Sequence, residues 1–88
     1  MSWDYSLSEQ ARKQLKKLGH TAQIEIVSYL KKRIKTDQNP RRFGKPLVGD
    51  LAGLWRYRVG SYRIICKIED EQLIVLVIAV GDRKNIYL

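Results

Sequence analysis

The stretch that decides the fold is LWRYRVGSYRI at residues 54–64, followed by the apolar run LIVLVIAV at residues 73–80. Residues 55–59 alternate between apolar and basic side chains, which predicts a β-strand with one buried and one exposed face. Gly60-Ser61 matches the two-residue hairpin loop that has glycine first, so residues 62–68 are predicted to return as a second strand. The apolar run is then a central strand, covered on one side by helices.

Two helices are predicted upstream of this hairpin. Ser8 or Ser6 can cap the first helix, and Gly19 suits its carboxyl end. Thr21 is the predicted cap of the second helix, which ends before Pro40. Each helix has apolar residues at helical spacing on one face: Ala11, Leu15 and Leu18 in the first, and Ile26, Val27, Leu30 and Ile34 in the second.

These elements predict one α+β domain spanning residues 1–88, since a chain of 88 residues has no room for a second domain. A short strand at residues 3–7 precedes the helices, and residues 37–53 form a connecting loop. The predicted fold has two amino-terminal helices packed on a four-stranded, mainly antiparallel sheet, in the order β-α-α-β-β-β.

The charge of the chain indicates a polyanionic partner. Lys and Arg number 17 against 9 Asp and Glu, which gives a net charge of +8. Residues 51–68 contain four basic side chains and no acidic one: Arg56, Arg58, Arg63 and Lys67. An uneven positive field on so small a body attracts phosphate polymers. We therefore expect nucleic acid rather than a membrane as the partner, because no segment has the pattern of an interfacial basic helix.

Several other classes of protein are disfavoured by composition. The single cysteine, Cys66, allows neither an internal disulfide nor a cysteine-based zinc site. The carboxylates are scattered or lie in turns, so no metal site and no cofactor is expected. The amino-terminal residues lack the features of a secretory signal, and the longest apolar run is too short to cross a bilayer. A cytoplasmic location is expected by elimination.

The two-residue loop fixes the register of the hairpin and brings three arginines onto one face. Val59 should pair with Tyr62, and Arg58 with Arg63, while Arg56 lies two residues away on the same face. Like charges directly opposed across a sheet are destabilising. Because guanidinium groups bind phosphate bidentately, the pattern favours an anion-binding face over a merely solvated one.

The order of these motifs resembles the RelE family of the RelE/ParE toxin superfamily. The resemblance rests on residues 54–64, the apolar strand after them, and the tail VGDRKNIY at residues 80–87, and it covers nearly the whole chain. It implies a toxin of a type II toxin–antitoxin system that cleaves mRNA on the ribosome without metal. In this reaction the 2′-hydroxyl attacks the adjacent phosphate.

Carried over residue by residue, the resemblance assigns five catalytic residues: Arg56, Arg58, Arg63, Arg83 and Tyr87. Lys67 and Lys84 are expected to join the four arginines in binding RNA. The implied partners are the ribosome, mRNA and a RelB-like antitoxin, with a toxin–antitoxin heterotetramer as the expected assembly. The best-known members carry lysines in place of Arg56 and Arg58. Since an arginine stays charged, proton transfer here depends more on Tyr87 or on the ribosome.

Two alternatives stay open from the sequence. A ParE-like toxin of the same fold would poison DNA gyrase instead of cutting RNA. A basic RNA-binding module would bind without catalysis. The set of four arginines and a carboxy-terminal tyrosine favours the nuclease, because a gyrase poison does not need that set.

Overall fold

The protein folds into a mixed five-stranded sheet with two helices on one face, as seen in a computed structural model that describes residues 2–86. The spatial order of the strands is β1-β5-β4-β3-β2; β1 pairs with β5 in parallel and the other pairs are antiparallel. The elements are β1 (Asp4–Leu7), α1 (Glu9–Leu18), α2 (His20–Tyr29), β2 (Lys45–Pro46), β3 (Trp55–Val59), β4 (Tyr62–Glu69) and β5 (Ile74–Asp82). The predicted α+β class is confirmed.

The predicted strand count of four is corrected to five. The additional strand, β2, has only two residues and pairs with Trp55 and Arg56 at the edge of the sheet. It lies in the segment predicted to be a connecting loop. Pro46 has no N–H to donate, so its presence did not indicate a strand at this position. An edge strand tolerates proline, because one side of it is not paired.

Serine capping holds α1 against the central strand. The Ser8 hydroxyl accepts a hydrogen bond from the Ala11 N–H at 3.0 Å and donates to the Ile78 carbonyl at 3.2 Å. The Ser8 N–H donates to the Val77 carbonyl at 2.9 Å. Of the two predicted caps, Ser8 is therefore the correct one. The start of α1 is tied directly to β5.

The second helix begins one residue before its predicted cap. Gly19 has φ +98°, a conformation that favours glycine, and it separates α1 from α2, which starts at His20 instead of after Thr21. A π-helical turn, Leu30–Ile34, continues α2. Among the described residues, neither helix is long and apolar enough to span a membrane.

The core lies between the helices and one face of the sheet. The fully buried sheet residues on this face include Tyr57, Ile64, Cys66, Val75 and Val77, packed against Ala11, Leu15, Ala22, Ile26, Leu30 and Ile34. Because neighbouring residues of a strand point to opposite faces, the arginines of β3 and β4 lie on the side away from the helices.

Hydrogen bonds from β3 hold the loop that precedes β2. The buried Tyr57 hydroxyl donates to the Pro40 carbonyl at 2.9 Å, and Trp55 Nε1 donates to the Phe43 carbonyl at 2.7 Å. Burial raises the pKa of Tyr57, so its hydroxyl keeps the proton that it donates. In the same loop, Arg41 forms a bidentate ion pair with Asp70 at the end of β4, with both N···O distances at 2.8 Å.

Candidate functional site

The hairpin between β3 and β4 has the predicted register. Arg58 pairs with Arg63, and Val59 pairs with Tyr62 around the Gly60-Ser61 loop. Arg58 is exposed and Arg63 is partly buried. The structure thus brings two guanidinium groups to one place, as the loop length predicts.

Arg56 extends the same face of the sheet. It pairs with Ile65, the next outward residue after Arg63 on β4. Lys67 is exposed on the same face two residues further along, beyond the end of the paired segment of β3. Arg56 therefore lies beside the facing pair, whereas Lys67 lies towards the far end of β4.

Two buried apolar residues, Ile65 and Ala79, lie on the same face beside these charges and are called the apolar floor below. Ile65 is 4% exposed and pairs with the fully buried Ala79, while Arg63 pairs with the buried Gly81. Ile65 and Ala79 belong to the face away from the helices and are not part of the main core. Apolar neighbours without polar groups lower the local dielectric and strengthen the field of the guanidinium groups beside them.

The segment after β5 folds back over Gly81. A Cβ on Gly81 would lie 2.5 Å from the Asn85 carbonyl oxygen and 2.9 Å from the Ile86 Cα. Only glycine permits that approach without a shift. The Arg83 N–H donates to the Ser61 carbonyl at 3.0 Å, which places Arg83 next to the hairpin loop.

The four arginines Arg56, Arg58, Arg63 and Arg83 are called the arginine cluster below. Burial lowers the pKa of the Arg63 guanidinium, and the positive charges of Arg58, Arg56 and Arg83 lower it further. Arg63 donates from Nη1 to the Tyr62 carbonyl at 2.9 Å and to the Gly60 carbonyl at 3.4 Å. Mutual repulsion of this kind is relieved by an anion bound between the groups.

Within residues 2–86, no carboxylate neutralises the arginine cluster. The ion pairs of this part of the chain join Lys13 to Glu9 and Arg41 to Asp70. Asp82 is adjacent in sequence to Arg83, but its Oδ1 accepts the N–H groups of Lys84 and Asn85. The cluster can therefore bind an external phosphate without first breaking a salt bridge.

The remaining predicted residues have different surroundings. Lys84 is exposed in the turn after β5, and Tyr87 lies outside the described residues. Burial raises the pKa of the Cys66 thiol, so this cysteine is protonated in the core. No group of three or more potential metal ligands occurs among the described residues.

Sequence reasoning missed the roles of Gly81 and Asp82. The last strand was predicted over the apolar run at residues 73–80, whereas β5 continues to Asp82 and Gly81 admits the returning tail. An aspartate followed by polar residues is a turn signal, so the turn at Asp82 was detectable. The close approach at Gly81 involves Asn85 and Ile86, which this same turn brings back over the glycine.

A groove along α2 lies apart from the arginine cluster. It has a volume of about 470 Å³ and is formed by residues of α2 and the π turn: His20, Gln23, Ile24, Val27, Ser28, Lys31 and Lys32. It shares no residue with the arginine cluster and contains no carboxylate. We assign the candidate site to the cluster, because an open groove on one helix lacks converging groups for catalysis.

This fold and its arginine cluster define a toxin of the RelE/ParE superfamily. Residues 5–87 match the family described as the ParE toxin of type II toxin–antitoxin systems, parDE. The match covers most of the chain, so the protein belongs to this superfamily and is a type II toxin.

The most similar relatives found include RelE-type toxins. Toxin RelG of Mycobacterium tuberculosis is 32% identical over 87 residues, which cover 99% of this chain and 98% of that protein. Toxin RelE of the same organism is 43% identical over 49 residues, covering 56% of this chain and 50% of that protein. These similarities support the RelE-type assignment.

Solved structures agree with the fold. The RelBE2 toxin–antitoxin complex of M. tuberculosis contains a chain that matches with a TM-score of 0.85 and 29% identity, covering 97% of this chain and 95% of that chain. The intact E. coli RelBE complex matches with a TM-score of 0.68 and 21% identity over 94% of this chain and 99% of that chain. The second likeness shows the fold alone.

Proposed function

We propose that this toxin is a ribosome-dependent, metal-independent endoribonuclease that cuts mRNA by attack of a 2′-hydroxyl on the adjacent phosphodiester. One observation carries the proposal: Arg58 and Arg63 face each other across the hairpin, beside the buried apolar residues Ile65 and Ala79 of the same face. Such a pair costs stability in the free protein. It is useful where negative charge accumulates on a phosphate during a reaction.

The arginine cluster suits the transition state of this reaction. The 2′-hydroxyl gives up its proton as its oxygen forms a bond to phosphorus. The bond to the 5′-oxygen breaks, and that oxygen takes up a proton from the solvent, so the products are a cyclic phosphate and a 5′-hydroxyl. Between them lies a pentacoordinate phosphorane with added negative charge. Guanidinium donors held in place by the hairpin stabilise that charge, each contributing on the order of a hundredfold in rate.

Proton transfer requires a different residue. Arginine does not release its proton near neutral pH, so Arg56 and Arg58 serve in binding and charge stabilisation. We propose Tyr87 as the residue that orients the 2′-hydroxyl or accepts its proton, or that stacks on a base. Lys67 and Lys84 add positive charge along the path of the RNA.

The proposed partners follow from the same surface. We propose that the toxin acts in the cytoplasm, that the ribosome bends mRNA into the geometry for attack, and that a RelB-like antitoxin neutralises it in a heterotetramer. The antitoxin proposal is supported by the similar structures, which are RelBE complexes. The ribosome proposal is supported by the lack of a strong general base among residues 2–86 near the cluster.

Brief induction of the protein alone, followed by primer extension on two reporter transcripts that differ by one inserted nucleotide, tests the proposal. Cuts should fall within the reading frame and move when the frame moves. The Arg12→Gln variant, altered on the exposed side of α1, is the matched control for loss of one positive charge and should cut like the parent.

The same experiment separates the alternatives. The gyrase poison is suggested by the ParE description of the matching family. It predicts intact transcripts and accumulating DNA breaks. A non-catalytic RNA-binding module predicts intact transcripts and intact DNA. Efficient cleavage of naked RNA in a chelator would refute ribosome dependence, while binding to that RNA should weaken steeply with salt because lysine and arginine release counterions.

A further inference from the structure

The turn after β5 is organised by one side chain. Asp82 Oδ1 accepts a hydrogen bond from the Lys84 N–H at 2.9 Å and another from the Asn85 N–H at 2.8 Å. These two bonds lower the pKa of the Asp82 carboxyl, so it is ionised at neutral pH. The Asp82 carbonyl also accepts from the Asn85 N–H at 3.2 Å.

Hydrogen bonds on both sides of Arg83 fix its backbone. Its own N–H is bound to the Ser61 carbonyl, and the N–H groups of the next two residues are bound to Asp82. The peptide groups on both sides of the Arg83 Cα are thus held. A carboxylate so near the arginine cluster would be expected to form an ion pair with it, but Asp82 instead accepts hydrogen bonds from Lys84 and Asn85 in its own turn.

We propose that Asp82 is a positioning residue that holds Arg83 beside Arg63, an inference that rests on the proposed role of the arginine cluster. Its contribution is an acceptor oxygen for two N–H groups. Without that oxygen, the two amides bond to water and the backbone of Arg83 gains freedom. A displacement of a catalytic group by about 1 Å can cost on the order of a hundredfold in rate.

Two variants separate the acceptor from the charge. Asp82→Ala and Asp82→Asn both remove one negative charge, but only asparagine keeps an oxygen for the turn. In single-turnover cleavage on programmed ribosomes, Asp82→Ala should be slower than the parent by about tenfold to a hundredfold, with ribosome binding little changed. Asp82→Asn should retain most of the parental rate. Equal loss in both variants would overturn the positioning role.

A double substitution tests whether Asp82 acts through Arg83. If it does, adding Asp82→Ala to Arg83→Ala should slow the reaction little beyond Arg83→Ala alone, because coupled residues are not additive. Independent, multiplied losses would overturn the assignment. If Arg83→Ala itself has the parental rate, the proposed role of the cluster fails instead, so the two failures are distinguishable.

Amide hydrogen exchange provides a measurement that needs no catalysis. The N–H groups of Arg83, Lys84 and Asn85 should be protected in the parent and in Asp82→Asn. In Asp82→Ala all three should exchange faster, while Ile64 in the core should keep its protection and report an intact fold. Unchanged protection at Arg83 in Asp82→Ala would overturn the inference whatever the cleavage rates.

Discussion

Replacing Arg58 with glutamine should change stability and activity in opposite directions. Arg58 is exposed, lies directly opposite Arg63, and has no side-chain hydrogen bond or ion pair with the rest of residues 2–86. Glutamine keeps most of its length and removes the charge. Relief of a facing like-charge pair in a sheet is worth roughly 0.2–1 kcal/mol, so the free energy of unfolding should rise by that amount or stay constant.

The rate of cleavage should fall at the same time. Arg58 provides one guanidinium of the arginine cluster, and loss of one preorganised donor to a transition-state anion costs about a hundredfold or more. Urea denaturation measures the stability, and single-turnover cleavage on programmed ribosomes measures the rate. The stability difference should shrink at about 1 M salt, where the Debye length is only about 3 Å.

Arg12→Gln is the control, since it removes the same charge from the exposed side of α1. It should leave the rate at the parental value. The explanation would be refuted if Arg58→Gln unfolded more easily than the parent by over about 1 kcal/mol, because Arg58 would then be a structural residue. A parental cleavage rate in Arg58→Gln would remove this arginine from the catalytic set.

Three other substitutions probe the scaffold and the tail. Tyr57→Phe leaves the Pro40 carbonyl without its buried donor and should lower the free energy of unfolding by about 1–3 kcal/mol in urea denaturation, with the cleavage rate unchanged below the transition. Gly81→Ala places a Cβ 2.5 Å from the Asn85 carbonyl oxygen, so it should displace the tail. The cleavage rate should fall strongly while the melting temperature changes little. A parental cleavage rate or a large fall in the melting temperature would contradict this. Tyr87→Phe should slow the chemical step by about a hundredfold while ribosome binding holds, whereas a parental single-turnover rate would leave Tyr87 only a stacking role.

The hairpin was predictable because its information is local. A two-residue loop leaves one register, so pairing Arg58 with Arg63 requires only counting outward from Gly60-Ser61. The alternation in β3 then assigns Tyr57 to the core and the arginines to the other face. The α+β class follows from two amphipathic helices and a strand pattern in one short chain, since the apolar face of each helix must be buried against another element.

The missed features depend on contacts between distant parts of the chain. β2 forms where the chain after Phe43 is held beside β3 by the hydrogen bond from Trp55 Nε1 to the Phe43 carbonyl. A segment of two residues that contains Pro46 has no strand pattern of its own. The apolar floor was partly visible, since β5 is apolar on both faces. That Ile65 and Ala79 pair beside the arginines follows from the register of β4 with β5, which the sequence does not state.

The two faces of the sheet have opposite effects on the stability of the fold, and this explains how the arginine cluster is tolerated. The helix-covered face buries a continuous set of side chains, including Tyr57, Ile64 and Val75, and supplies the stability. The other face lowers it by holding like charges together on a short hairpin. An anion that binds the cluster stabilises the fold by mass action and relieves that repulsion. Under the proposed function, binding of phosphate and stability of the sheet are coupled through the same pair, Arg58 and Arg63.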